Sequence, residues 1–225
     1  MFIMSRNYYF LKILNLDASN NSNITQEIIE QNKFNKLKEL DVSNNENIYD
    51  INFLKNILEY LDASGKNCGI TQKGIEELIK LKGLNIYYNN KIKNLTFAKN
   101  TLEFLILFNN SGIKQKEIEY LTKLKILNIS NNFDINDVNF AKNTLEKLDA
   151  SGEDCGIKQE GIKKLKKLRE LNANYNPKIK NVNFAKDTLE ILNISGNSGI
   201  NQKGIQELTK LKNLYANYNK KIKIY

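Results

Sequence analysis

Residues 81–92 read Leu81-Lys82-Gly83-Leu84-Asn85-Ile86-Tyr87-Tyr88-Asn89-Asn90-Lys91-Ile92. Three apolar residues, Leu81, Leu84 and Ile86, are followed by Asn89 and then by Ile92. The alternation through Leu84 and Ile86 is that of a short strand with one face turned inward. An inward Asn suits the point where the chain leaves the strand and backbone groups need partners. The same spelling begins near residues 13, 37, 58, 81, 102, 124, 145, 168, 189 and 211. The Asn position is filled by Asn21, Asn45, Asn89, Asn110, Asn132, Asn176, Asn197 and Asn219, and, after one extra turn residue, by Asn67 and Asp154. Ten copies in register predict a stack of like units held by nearest neighbours, with residues 1–225 forming one domain.

The copies alternate in length. Longer units continue with segments such as Thr71–Lys80 and Lys158–Lys167, where Ile75 and Leu78, or Ile162 and Leu165, are three apart. That spacing predicts one buried face of a short helix. Shorter units continue instead with strings such as Asn94-Leu95-Thr96-Phe97-Ala98-Lys99. Their Phe53, Phe97, Phe140 and Phe184 are expected to form one buried column, each costing about 3–5 kcal/mol if truncated to Ala.

Over essentially its whole length the spelling resembles the leucine-rich repeat family. The resemblance implies an α/β solenoid: a horseshoe with a parallel concave β-sheet of about ten strands, and short helices and extended segments on the convex side. It also implies a protein partner held by the concave face. Cys68-Gly69-Ile70-Thr71-Gln72-Lys73-Gly74-Ile75 further resembles the cysteine-containing subtype of many F-box adaptor proteins, which would imply a substrate-recruiting adaptor subunit. Three of the five longer units lack that Cys.

Composition narrows the function classes. The chain has no His, so it cannot assemble a Ser–His–Asp or Cys–His centre, a His-ligated metal or a histidine pH switch. Asp17, Asp41 and Asp62 fall in one repeated column with Asp149, which reads as a copied residue and not as a metal or acid–base site. We expect no enzyme activity, no cofactor and no metal. Cys68 and Cys155 lie four repeats apart, about 19 Å at the spacing of neighbouring strands, beyond disulfide reach. Two cysteines fit a reducing compartment. Residues 1–16 lack the uninterrupted apolar run of a signal peptide, and no stretch is long enough to span a membrane; a cytoplasmic placement is expected. The net charge is +9, and Lys158, Lys163, Lys164, Lys166, Lys167 and Arg169 form the densest basic cluster. No aromatic residue interleaves with it, so a solvated face is expected, with no specific nucleic acid and no membrane as partner.

The outward columns carry the functional signal. The residue after the first Leu alternates in sign (Lys38, Glu59, Lys82, Glu103, Lys125, Glu146, Arg169, Glu190, Lys212), a ladder that cancels itself. Two other columns read mostly Asp or Asn and Ser. They break at the fourth and fifth copies, where Tyr87, Tyr88, Phe104, Ile106 and Phe108, flanked by Tyr60 and Ile126, are expected to project outward. An apolar patch rimmed by polar residues marks an interaction surface, and aromatic residues are favoured anchors there. A structural solenoid that stacks end to end with other copies, or a fragment of a longer repeat array, is the alternative.

Overall fold

A computed structural model describes residues 14–32, 34–109 and 111–223. Ile13 and Asn110, and most of the segment read above for a signal peptide, lie outside those residues. Ten three-residue strands follow one another: β1 (Asn15–Asp17), β2 (Glu39–Asp41), β3 (Tyr60–Asp62), β4 (Gly83–Asn85), β5 (Phe104–Ile106), β6 (Ile126–Asn128), β7 (Lys147–Asp149), β8 (Glu170–Asn172), β9 (Ile191–Asn193) and β10 (Asn213–Tyr215). All pair in parallel, in sequence order, as one open sheet, the form of a horseshoe solenoid. Register is set by the middle residue. Leu40, Leu61, Leu84, Leu105, Leu127, Leu148, Leu171 and Leu192 stand side by side and are buried. Slipping one strand by a residue would put its Leu into solvent, so the apolar column fixes the pairing.

Behind the sheet the turn residues work as expected in alternate copies. Asn45, Asn89, Asn132, Asn176 and Asn219 are buried, and each Nδ2 donates back to two carbonyls of the preceding repeat. In the longer units the expectation is corrected. Asn67, Asp154 and Asn197 are exposed, and the next residue, Cys68, Cys155 or Ser198, is buried in their place. In the longer units the buried position lies two residues before the following Ile, as in Cys68-Gly69-Ile70 and Ser198-Gly199-Ile200, so a small side chain enters where the amide would have been. Cys68 and Cys155 are free, and burial pushes both thiols up to about 11. They are packing residues and poor nucleophiles.

On the convex side only Gln26–Gln31, α1, is an α-helix among the described residues. Ile75, Leu78, Ile162 and Leu165 are buried as expected. Their segments, however, enter through single 3₁₀ turns, Gln72–Gly74 and Gln159–Gly161. Here a methyl group on Gly74 would sit 2.0 Å from the Tyr49 carbonyl oxygen of the previous unit, so adjacent backbones meet too closely for a wider helix.

The Phe column is also corrected. Phe53 is 45% exposed, and Phe97, Phe140 and Phe184 are only half-buried. Each lies within a 3₁₀ turn (Asn52–Leu54, Thr96–Ala98, Asn139–Ala141, Asn183–Ala185). With three residues per turn, positions three apart eclipse. The buried pairs are therefore Ile51 with Leu54, Leu95 with Ala98, Val138 with Ala141 and Val182 with Ala185, and the intervening Phe is turned sideways.

One device was not anticipated. Gln26, Gln72, Gln115 and Gln159 each accept two backbone N–H bonds from the next repeat through Oε1, at 2.9–3.1 Å. This Gln column stitches neighbouring units on the side away from the sheet.

Candidate binding surface on the concave sheet

The outward Asp/Asn column has a local cause. Asp17, Asp41, Asp62, Asn85, Asn128, Asp149, Asn172 and Asn193 each accept, through Oδ1, the backbone N–H two residues on, where the strand ends. The motif satisfies one donor per repeat as the chain turns. At β5 the column holds Ile106, which has no oxygen to offer the N–H of Phe108. Eight of the ten strands keep this background; β5, with Ile106, and β10, with Tyr215, depart from it.

Around the departure at β5 the apolar residues fall into two groups. Tyr60, Phe104 and Ile106 line a hollow of about 390 Å³ that crosses the concave sheet from β1 to β5. Tyr60 is 44% exposed, and its ring lies over Gly83, the residue it pairs with on β4. Phe104 and Ile106 are half-buried at the other end. The second group borders the ends of β4 and β5. Tyr87 stacks on Tyr88 with ring centroids 4.1 Å apart, and meets Phe108 nearly edge-on at 5.0 Å. Ile126 pairs with Phe104 across β5 and β6 but does not line the hollow.

Tyr88 sits in the turn and not on a strand, with φ at +59°. Asn44, Asn131, Tyr175 and Tyr218 occupy the same left-handed position in other copies, and Gly65 does so at φ +98°. At Tyr88 two neighbours support the side chain. Asn109 donates to its hydroxyl at 3.1 Å and the Lys66 ammonium lies 5.2 Å from its ring centre. The Tyr88 phenol is held below its usual value first by the neighbouring Tyr87 hydroxyl, then by Asn109 and Lys66.

The rest of the hollow is acidic. Asp17, Glu39, Asp41 and Asp62 line it together with the backbone of β1–β4. Sequence reasoning passed over these carboxylates as background. The available signal was the absence of Lys and Arg from the two strand columns of the second to fifth copies (Glu39, Tyr60, Gly83, Phe104 and Asp41, Asp62, Asn85, Ile106).

The charge ladder is present, in clusters instead of an unbroken run. Glu59 bridges Lys38 and Lys82 at 2.6 Å each, Glu103 meets Lys125 at 2.7 Å, and Glu190 bridges Arg169 and Lys212. The two lysines hold the Glu59 carboxyl down at about 2. Of the basic cluster, Lys158, Lys163, Lys164, Lys166, Lys167 and Arg169 are all exposed, and Lys163 pairs with Glu160. Among the described residues no group of three or more His, Cys, Asp or Glu side chains could hold a metal ion, and no helix is long and apolar enough to cross a membrane.

No protein-family model and no curated protein matches the sequence. Solved structures do match. An internalin, inlF, from Listeria monocytogenes superposes with a TM-score of 0.57 at 20% identity, over 85% of this chain and 64% of its own. A leucine-rich repeat protein of Leptospira interrogans gives 0.53 at 24% identity, over 84% and 50%. TLR13, solved in complex with ssRNA13, gives 0.58 at 21% identity, over 80% and 29%. The match therefore spans less than two thirds of each of these proteins. At such identities the likeness is one of architecture, and the architecture of this chain is that of a leucine-rich repeat horseshoe.

Proposed function

We propose that the chain is a non-catalytic protein-interaction module that holds its partner on the concave face through Tyr60, Tyr87, Tyr88, Phe104, Ile106, Phe108 and Ile126. The observation that carries this reading is Ile106. Eight other copies keep an Asp or Asn whose oxygen satisfies a backbone N–H, whereas β5, like β10 with Tyr215, forgoes that bond, which contributes about 0.5–1.5 kcal/mol, and presents an apolar side chain beside the aromatic residues of β4 and β5. A free-standing solenoid gains nothing from the exchange. A partner that covers Ile106 and its aromatic neighbours does. TLR13 was solved with single-stranded RNA; the hollow of this chain is lined by carboxylates, which repel phosphate, and that favours a protein here.

The test is partner capture from the source cell by the purified chain and by a Tyr87→Ser/Phe108→Ser variant. Both substitutions install the Ser found in the same column of other copies, such as Ser64 and Ser130. We expect the variant to keep its melting temperature and lose the partner. Unchanged capture would refute the reading.

A further inference from the structure

We infer that the hollow takes an extended, positively charged peptide segment, with a Lys or Arg seated over the Asp column of β1–β3 and an apolar residue against β5. This inference rests on the concave face being the binding surface and names the chemistry of what binds there.

The charge distribution carries it. The chain as a whole is basic, with a net charge of +9. The hollow is the reverse: Asp17, Glu39, Asp41 and Asp62 line it, and no described Lys or Arg does. In the neighbouring column Glu59, Glu103 and Glu190 are each matched by a cation within 2.7 Å, and Glu146 alone of the four is not, among the described residues. None of the four carboxylates in the hollow is in an ion pair among the described residues. Asp17 and Asp41 each commit one oxygen to the N–H of Ser19 or Ser43, at 3.0 and 2.8 Å, and among the described residues nothing donates to the other, whereas the second oxygen of Asp62 accepts from Asn85 Nδ2 at 2.7 Å. Uncompensated negative charge grouped on one concave surface attracts a cationic segment and rejects acidic ones.

Geometry supplies the form of the occupant. From β1 to β5 the hollow runs four strand spacings, about 19 Å. An extended chain covers that distance in about six residues, with alternate side chains facing the sheet. A cation centred over Asp41 lies about 14 Å from Phe104 and Ile106, three strands away, which is about four residues of extended chain. Residues four apart face the same side. The expected pattern is therefore Arg or Lys at one position, commonly again two residues later, and an aromatic or aliphatic residue four residues after the first. Gly83 leaves the floor low between the two ends, with only the Tyr60 ring across it.

The experiment is selection of random twelve-residue displayed peptides on the intact chain, with an Asp17→Asn/Asp41→Asn variant as counter-target. Asn occupies the same column at Asn85, Asn128, Asn172 and Asn193 and makes the same backbone bond, so the variant keeps its fold. We expect enrichment of the basic-then-apolar pattern on the intact chain. A dye-labelled copy of an enriched peptide should bind the Asn variant at least tenfold more weakly, with a flatter salt dependence. It should bind Phe104→Ser at least tenfold more weakly with its salt dependence kept. Failure of the selection to discriminate the two targets, or enrichment of acidic or uncharged peptides, overturns the inference. So does a change in the self-association of the chain in the Asn variant, which would assign the hollow to a second copy. If selection fails while partner capture still depends on Tyr87 and Phe108, the interaction reading stands and this inference alone falls.

Discussion

The ring of Tyr60 lies across Gly83 so closely that a methyl group on Gly83 would come within 2.3 Å of ring atom Cδ1. The two residues are register partners on β3 and β4, so the absence of a side chain on one strand gives the other room to lie flat over the floor of the hollow. Gly83→Ala should therefore act as a mutation of Tyr60. The ring swings away and the strand pairing survives, because nothing in the backbone has to move first. We expect a melting temperature within a few degrees of the parent. Peptide or partner affinity should fall by about 2 kcal/mol, in the range of losing one aromatic anchor. Isothermal titration measures it. Full affinity in Gly83→Ala would show that the position of Tyr60 is immaterial.

Asn89 is buried, and its Nδ2 donates to the Ala63 and Ile70 carbonyls at 2.9 and 3.1 Å. Asn89→Ala leaves two acceptors without a donor inside the solenoid. The expected loss is about 2–4 kcal/mol, measured by urea denaturation. Asn67 is its apparent equivalent one repeat earlier, yet it is exposed, so Asn67→Ala should change stability by less than about 0.5 kcal/mol. A similar cost at both positions would contradict the shift of the buried position in the longer turn.

The convex turns reverse an expectation drawn from residue size. Phe53 is the largest side chain in its turn and is half in solvent, while Ile51 and Leu54 are fully buried. Phe53→Ala should cost less than about 1.5 kcal/mol, and Leu54→Ala about 2–5 kcal/mol. Equal costs in thermal melts would restore the buried Phe column.

Glu59 ties the ladder to pH. Lys38 and Lys82 hold its carboxyl at about 2, below the ordinary 4.5. A group depressed in the folded state contributes its stability in full above the unfolded value and loses it as pH falls through the folded one. The contribution of Glu59 should be complete above pH 4.5 and should vanish on descending toward pH 2. Glu59→Gln should thus be slightly less stable than the parent at neutral pH, by about 1 kcal/mol or less since both lysines are exposed, and no less stable near pH 2. A gap between the two proteins that persists at low pH would exclude this ladder as its source.

How much of this was legible follows from what each residue type reports. The apolar spacing around Leu84 and its copies reports burial on one face of a strand, and the parallel sheet and its register follow directly. Phe53 reports only that it is large and apolar. Which way it points depends on whether the segment turns with three residues or 3.6, and a three-residue stretch is too short to show its period. Gln72 recurs as regularly as the leucines, at 26, 72, 115, 159 and 202, but a polar residue on a solvated segment reads as surface until its partners on the next repeat are seen. The aromatic end of the hollow was legible because Phe104 and Ile106 break a polar column. The acidic end was not: Asp17, Asp41 and Asp62 have a structural duty to the backbone that also explains their repetition, and the unpaired charge appears only when the lysines are found elsewhere.

Ile106→Asn separates function from scaffold by sign. If Ile106 belonged to the scaffold, replacing it by a polar residue would lose packing and lower stability. In the present structure the substitution installs the side chain that the neighbouring β4 and β6 carry at Asn85 and Asn128. Its Oδ1 would take the N–H of Phe108, as Asn128 takes that of Ser130 at 3.0 Å. The variant should therefore be more stable than the parent, by about 0.5–1.5 kcal/mol, while binding at the concave face weakens. Gaining stability while losing binding is the pattern of a residue kept for its partner. Urea denaturation gives the first quantity and titration with a selected peptide the second. A variant that loses stability and keeps its affinity would make Ile106 a packing residue, and would remove the observation on which the interaction reading chiefly stands.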